Sequence, residues 1–152
     1  MSENKVAILM GSKSDLPVMT KAADFFKEFG VNFEMQVMSA HRSPKRVAEF
    51  ASQARANGYQ VLIGGAGMAA HLAGALAAHS DLPVIGVPLD SGQGMGGMDA
   101  LLATAQMPKG VPVATVAVNG AMNAACLAIQ ILGLQDAELA QKYSAFREKQ
   151  GA

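Results

Sequence analysis

The sequence predicts a three-layer α/β/α domain, a doubly wound parallel sheet of about five strands with an extra C-terminal helix. Three observations predict it. Short apolar runs alternate with helix-period stretches from one end of the chain to the other. Polar or glycine-rich turns separate each run from the helix that follows. The 152 residues (15.7 kDa) contain no low-complexity segment and no Ser/Pro linker, so a single domain over residues 1–152 accounts for the chain.

Val6 to Met10 is wholly apolar, as a central parallel strand covered on both faces requires. The polar turn Gly11 to Asp15 follows. Ser14 or Asp15 is placed to cap the next helix, Pro17 lies in its first turn, and Val18, Ala22, Phe25, Phe26 and Phe29 share one face until Gly30 ends it. Val31, Phe33, Met35 and Val37 alternate with polar residues, which marks a half-buried strand near the sheet edge. After Ser39 to Arg42, Ser43-Pro44 opens a second helix carrying Val47, Phe50, Ala51 and Ala54, stopped by Gly58.

The third unit reads as a strand from Gln60 to Gly64, a turn at Gly65-Ala66-Gly67 and an Ala-rich helix from Met68 to Ala78. Pro83 to Val87 is the fourth strand. The Gly-rich loop Ser91 to Gly97 leads to a helix over Met98 to Ala105, and Pro112 to Val118 supplies the fifth strand. Asn123 to Leu132 is an apolar helix, and Leu139, Tyr143 and Phe146 form a narrow stripe on the last helix, suited to a neighbouring subunit. Right-handed crossovers between five such strands favour a flavodoxin-like order. Ligands in these sheets bind beyond the carboxyl ends of the strands, so the turns Ser12–Asp15, Ser39–Arg42 and Gly65–His71 are expected on one rim.

Composition narrows the partners. Lys plus Arg and Asp plus Glu each number 12, a formal charge of zero, which removes the basic field that nucleic acid or anionic lipid demands. The chain is 51% hydrophobic and only 16% charged, against about 25% charged in an ordinary domain, which points to a homo-oligomer hiding part of that surface. The lone Cys126 excludes an internal disulfide, no Cys/His spacing fits a structural zinc site, and the N-terminal apolar run is too short for a secretion signal; a reducing cytoplasm fits. Val61 to Ala78 approaches spanning length, but its Ala/Gly content and central glycine turn argue against a bilayer.

The three turns carry the residues able to do chemistry. Ser12 and Ser14 at a helix start suit a phosphate, as does the forked guanidinium of Arg42; no P-loop motif surrounds Lys13. Asp15 suits ribose hydroxyls or simply a helix cap. His41 can move protons near neutrality, although a lone turn histidine also serves structure. His71 lies in the third turn, whereas His79 at a helix C-terminus meets the dipole and is assigned no chemistry. Gly65-Ala66-Gly67-Met68-Ala69-Ala70 with Asp90 downstream formally fits a dinucleotide fingerprint, which keeps a nucleotide- or flavin-binding redox module open as a rival. Cys126 reads as an inert packed thiol, the ten methionines mostly as core fillers, and Lys142, Arg147, Glu148 and Lys149 as a solvated face.

Taken together, Gly11-Ser12-Lys13-Ser14-Asp15, Ser39-Ala40-His41-Arg42, Gly65 through Leu72, and Met107-Pro108-Lys109-Gly110-Val111-Pro112-Val113 closely resemble the PurE family of purine biosynthesis, in its N5-carboxyaminoimidazole ribonucleotide mutase branch. The resemblance spans nearly the whole chain. It implies a flavodoxin-like fold, an octamer, no cofactor and no metal, and a carboxyl group moved from the exocyclic nitrogen of an aminoimidazole ribonucleotide to ring carbon four. By the same resemblance Ser12, Asp15 and Arg42 bind the ribonucleotide, Ser14 lies near its phosphate and Ser39 beside the base. His41 is then the general acid/base, and the Gly67–Leu72 loop, with His71 close by, encloses the carboxylate.

A related branch carboxylates the aminoimidazole with free carbon dioxide and carries lysine at the arginine position; Arg42 and Ala70-His71-Leu72 favour the mutase. The sequence departs from the family pattern at Met68, where glycine is usual, at Ala73, where proline is usual, and in the Gly92–Gly97 loop. A non-catalytic assembly subunit of the same fold is the remaining alternative.

Overall fold

The structure is a computed structural model that describes residues 4–152. Its sheet has five parallel strands, β1 (Lys5–Met10), β2 (Asn32–Val37), β3 (Val61–Gly67), β4 (Val84–Leu89) and β5 (Ala114–Thr115), in the order β2-β1-β3-β4-β5. This is the flavodoxin-like order, with its switch point between β1 and β3. Six α-helices connect the strands and finish the chain: α1 (Leu16–Phe29), α2 (Pro44–Gln53), α3 (Leu72–His79), α4 (Met98–Ala105), α5 (Ala121–Leu132) and α6 (Ala137–Gly151).

Alternate residues of the central strands feed two cores. Val6, Ile8 and Met10 of β1 join Ile63, Ile85 and Val87 under α1 and α5, whereas Ala7 and Leu9 join Leu62 and Val84 under α2 and α3. Burying a side chain as fully as Phe26 stabilises by about 2 kcal/mol. Met10, Met19 and Met38 are core fillers as expected, but Met68, Met95, Met98 and Met122 are exposed.

Helix ends follow local chemistry. Gly30, at φ 70°, ends α1 with its N–H on the carbonyls of Lys27 and Phe26, and Pro44 opens α2. Of the caps expected from Ser14 or Asp15, Asp15 takes the N-cap position of α1 but its side chain makes no cap bond; the side-chain cap is instead Ser12, which opens a short 3₁₀ turn at Lys13–Asp15 and accepts from the Ser14 N–H.

Four further expectations need correction. Gly65-Ala66-Gly67 is not a turn, because Ala66 pairs with Pro88 and Gly67 with Leu89, which carries β3 three residues past its expected end. The helix after it begins at Leu72 rather than Met68. The fifth strand shrinks to Ala114–Thr115: Pro112 has no N–H for a ladder, and Asn119, at φ 60°, turns the chain away. Finally, Tyr143 and Phe146 pack on Phe25 and Phe29 of the same chain, with Phe25 and Phe146 centroids 5.2 Å apart edge to face, so α6 spends its stripe internally.

In the third unit a helix packs on bare strand backbone. A Cβ on Gly64 would lie 3.1 Å from Ala73 Cα and 3.1 Å from Leu76 Cδ1, so α3 sits against the sheet where β3 has no side chain. The neighbouring Gly86, paired with Gly64, makes the same room for Thr104 of α4.

Candidate active site

The loops after β1, β2, β3 and β4 enclose a cavity of about 390 Å³ at the carboxyl rim of the sheet. All of the sequence-predicted site residues line it: Ser12, Ser14 and Asp15 from the first loop, Ser39, His41 and Arg42 from the second, and Gly67, His71 and Leu72 from the third.

Each wall has a local cause. Ser12 accepts from the Ser14 hydroxyl at 3.0 Å and from its N–H at 3.3 Å, which fixes both serines at the mouth of α1. Asp15 is only 8% exposed; burial pushes its carboxyl above the ordinary 3.8, opposed by a backbone hydrogen bond from Ser12. Ser39 ties the second loop together, its hydroxyl accepting from the Arg42 N–H at 3.1 Å and its carbonyl from the Ser43 N–H. Among the described residues the Arg42 guanidinium forms no ion pair, and it is the one arginine or lysine on the cavity wall.

The second and third loops meet at two histidines. His41 Nε2 lies 2.6 Å from His71 Nδ1, with the rings at 87° and their centroids 4.8 Å apart. One nitrogen must donate a proton to the lone pair of the other, so at least one ring is neutral in this arrangement. The pair is a contact that the sequence did not reveal, since 30 residues separate its members.

Beside it the wall is small and apolar, formed by Ala66, Gly67 and Ala69. Met68 holds φ 54°, a left-handed conformation that costs an L-residue roughly 1–2 kcal/mol.

The dinucleotide reading fails here. Its glycines lie in β3 rather than in a turn to a helix, and Asp90 is off the cavity wall, its carboxylate accepting from the Gly92 N–H at 3.0 Å. Ser91 and Gln93, which sequence reasoning did not select, do line the cavity. Their signal was available, because they follow the carboxyl end of β4, the same rule that selected the other three loops. Cys126 is buried away from the cavity with its thiol pushed up by burial, as an inert packing residue would be.

A family model described as AIR carboxylase matches residues 5–152. The chain belongs to the AIR carboxylase family. Among relatives in this family, the N5-carboxyaminoimidazole ribonucleotide mutase of Pyrococcus abyssi is 52% identical over 144 residues, covering 95% of this chain and 82% of that one. The N5-carboxyaminoimidazole ribonucleotide mutase of Saccharolobus solfataricus is 51% identical over 144 residues, covering 95% of this chain and 90% of that one. The crystal structure of Treponema denticola PurE superposes with a TM-score of 0.86 at 28% identity, over 97% of this chain and 92% of that chain. No helix among the described residues is long and apolar enough to cross a membrane.

Proposed function

We propose that this AIR carboxylase family member is the mutase that converts N5-carboxyaminoimidazole ribonucleotide to 4-carboxyaminoimidazole ribonucleotide in purine biosynthesis. The observation that carries the reading is the His41–His71 pair, at 2.6 Å, on the wall of a cavity whose neighbouring surface is small and apolar. The identity to mutase relatives over 95% of the chain supports it.

In this mechanism Arg42, Ser14 and the start of α1 receive the phosphate through a forked charge and helix-end N–H groups. Asp15 accepts from ribose hydroxyls, Ser12 completes that contact, and Ser39 stands beside the base. His41, protonated, gives its proton to the exocyclic nitrogen as the nitrogen–carbon bond breaks and the electron pair returns to nitrogen, releasing carbon dioxide. Gly67 to Leu72 hold the released molecule in a site with few groups to hydrate it. Ring carbon four then attacks carbon dioxide, and His41 takes the proton that this carbon sheds. One proton leaves His41 and one returns, so no external acid or base is consumed. His71 holds the His41 ring between these steps.

The protein acts in this reading as one domain over residues 1–152, without a cofactor, in the cytoplasm, as a homo-octamer. Exposed Met98 and Leu102 on α4, with exposed Met95 in the loop before it, support association with further copies. Light scattering that returned the monomer mass would remove the octamer.

The family model's description favours a second reading, carboxylation of aminoimidazole ribonucleotide by free carbon dioxide. Supplying the N-carboxylated nucleotide in one assay and aminoimidazole ribonucleotide with bicarbonate in another separates the two. Efficient formation of the C-carboxylated product from the first alone is expected; preference for the second assigns the carboxylase reaction, and turnover of neither rejects both.

A further inference from the structure

The strand order places the cavity's loops in the sequence β2, β1, β3, β4 along the rim. Arg42 follows β2 while Ser91 and Gln93 follow β4, so their loops leave the sheet at the two ends of the cavity rim, from strands three spacings apart. With the phosphate drawn to Arg42, the far end receives the other pole of the nucleotide, the carboxylated ring.

That far end has no cation. It is bounded by Gly67 at the end of β3 and by Ser91 and Gln93 after β4. Ser91 lies against the end of β3: a Cβ on Gly67 would come within 3.4 Å of Ser91 Cβ and 3.6 Å of its Oγ. The Ser91 hydroxyl accepts from the Gln93 N–H at 3.3 Å, and the loop base is fixed by Asp90, whose N–H donates to Asn119 Oδ1 at 3.1 Å. Among the described residues the Gln93 carboxamide forms no hydrogen bond, which leaves its two N–H groups available.

A neutral donor suits a group that must lose its charge. A lysine or arginine here would stabilise the carboxylate more than the departing carbon dioxide and raise the barrier to decarboxylation. We propose that Gln93, braced by Ser91, is a specificity residue of the mutase site, its Nε2 donating to the carboxylate of the nucleotide. This rests on the mutase reading and adds to it a residue from the fourth loop, in the segment where this chain departs from the family's pattern.

Calorimetric titration of the full chain with 4-carboxyaminoimidazole ribonucleotide and with aminoimidazole ribonucleotide tests it. Gln93→Glu keeps the shape and places a negative charge against the carboxylate. It should weaken the carboxylated nucleotide by about tenfold or more and the uncarboxylated one by less than about twofold, with Gln93→Ala intermediate for the first. Equal losses for both nucleotides, or no loss for either, would overturn the assignment while leaving the function in place. A wild-type protein that binds neither nucleotide would instead overturn the mutase reading, and the role of Gln93 with it.

Discussion

The two ends of the sheet use polar side chains in opposite ways. At the amino end Lys5, Glu34 and Tyr59 are spent on one another: the Tyr59 hydroxyl donates to Glu34 Oε2 at 2.5 Å, Lys5 Nζ lies 3.3 Å from Glu34 Oε1, and the same ammonium stands 4.2 Å over the Tyr59 ring. On the wall of a smaller cavity of about 290 Å³ nearby, Asn4 likewise donates to Asp136 at 2.7 Å. At the carboxyl end the loops tie down their own backbones, and Arg42 and Gln93 keep their side-chain donors for something else. One end is built for stability and the other for a ligand. Substitutions should therefore separate cleanly into those that change turnover and those that change unfolding.

The largest effect is expected at His41. His41→Asn should cut kcat by about a thousandfold, the range of a lost general acid/base, while the midpoint of urea unfolding stays put. Near-normal formation of the C-carboxylated product would remove His41 from the chemistry. Arg42→Ala comes next: it should raise KM by about a hundredfold through loss of a bidentate phosphate contact, with a much smaller change in kcat. A kcat effect at constant KM would place Arg42 at the reacting atoms instead.

His71→Ala is expected to lower kcat by about tenfold, with His71→Asn recovering part of the loss by offering a hydrogen-bonding group to the His41 ring. Identical rates for the two variants would mean that the 2.6 Å contact does not position His41.

The smallest effect belongs to the other end of the sheet. Tyr59→Phe should cost about 1 kcal/mol of stability by removing a hydrogen bond to a charged group, with kcat unchanged. It should also flatten the dependence of stability on pH. The bond to Tyr59 holds the Glu34 carboxyl below its ordinary 4.5, so that contribution is present above the ordinary value and lost as pH falls through the lowered one. Burial and then the bond to Glu34 raise the Tyr59 phenol above its ordinary 10.0, so its contribution is present below that value and lost as pH rises through the raised one. Chemical denaturation across the pH range would show both edges weakened in the variant. Unchanged edges would mean that the cluster adds nothing to folding.

The same contrast marks what was legible in the sequence. Val6 to Met10, Phe25 to Phe29 and Met98 to Ala105 reveal themselves because burial on one or both faces imposes a period that composition displays. The boundary between β3 and α3 was hidden, since Gly65-Ala66-Gly67 has turn composition and only pairing with Pro88 and Leu89 holds it extended. Pro112 to Val118 misleads in the other direction: its apolar character suggests a strand, yet just two of its residues pair with β4. Three of the four cavity loops follow from the rule for parallel sheets, whereas Ser91 and Gln93, in a Gly-rich loop with no motif of its own, carry no local signal beyond their place after β4. The 2.6 Å meeting of His41 and His71 depends on strand order, which no local pattern encodes.

The bare strip at Gly64, against which Ala73 and Leu76 rest, sets more than packing. His71 immediately precedes the helix that leans there, so the ring inherits its height above the rim from a seat several residues away. Adding one methyl group at Gly64 would tilt that support like a shim under a lever, displacing an imidazole while every side chain around the nucleotide kept its identity.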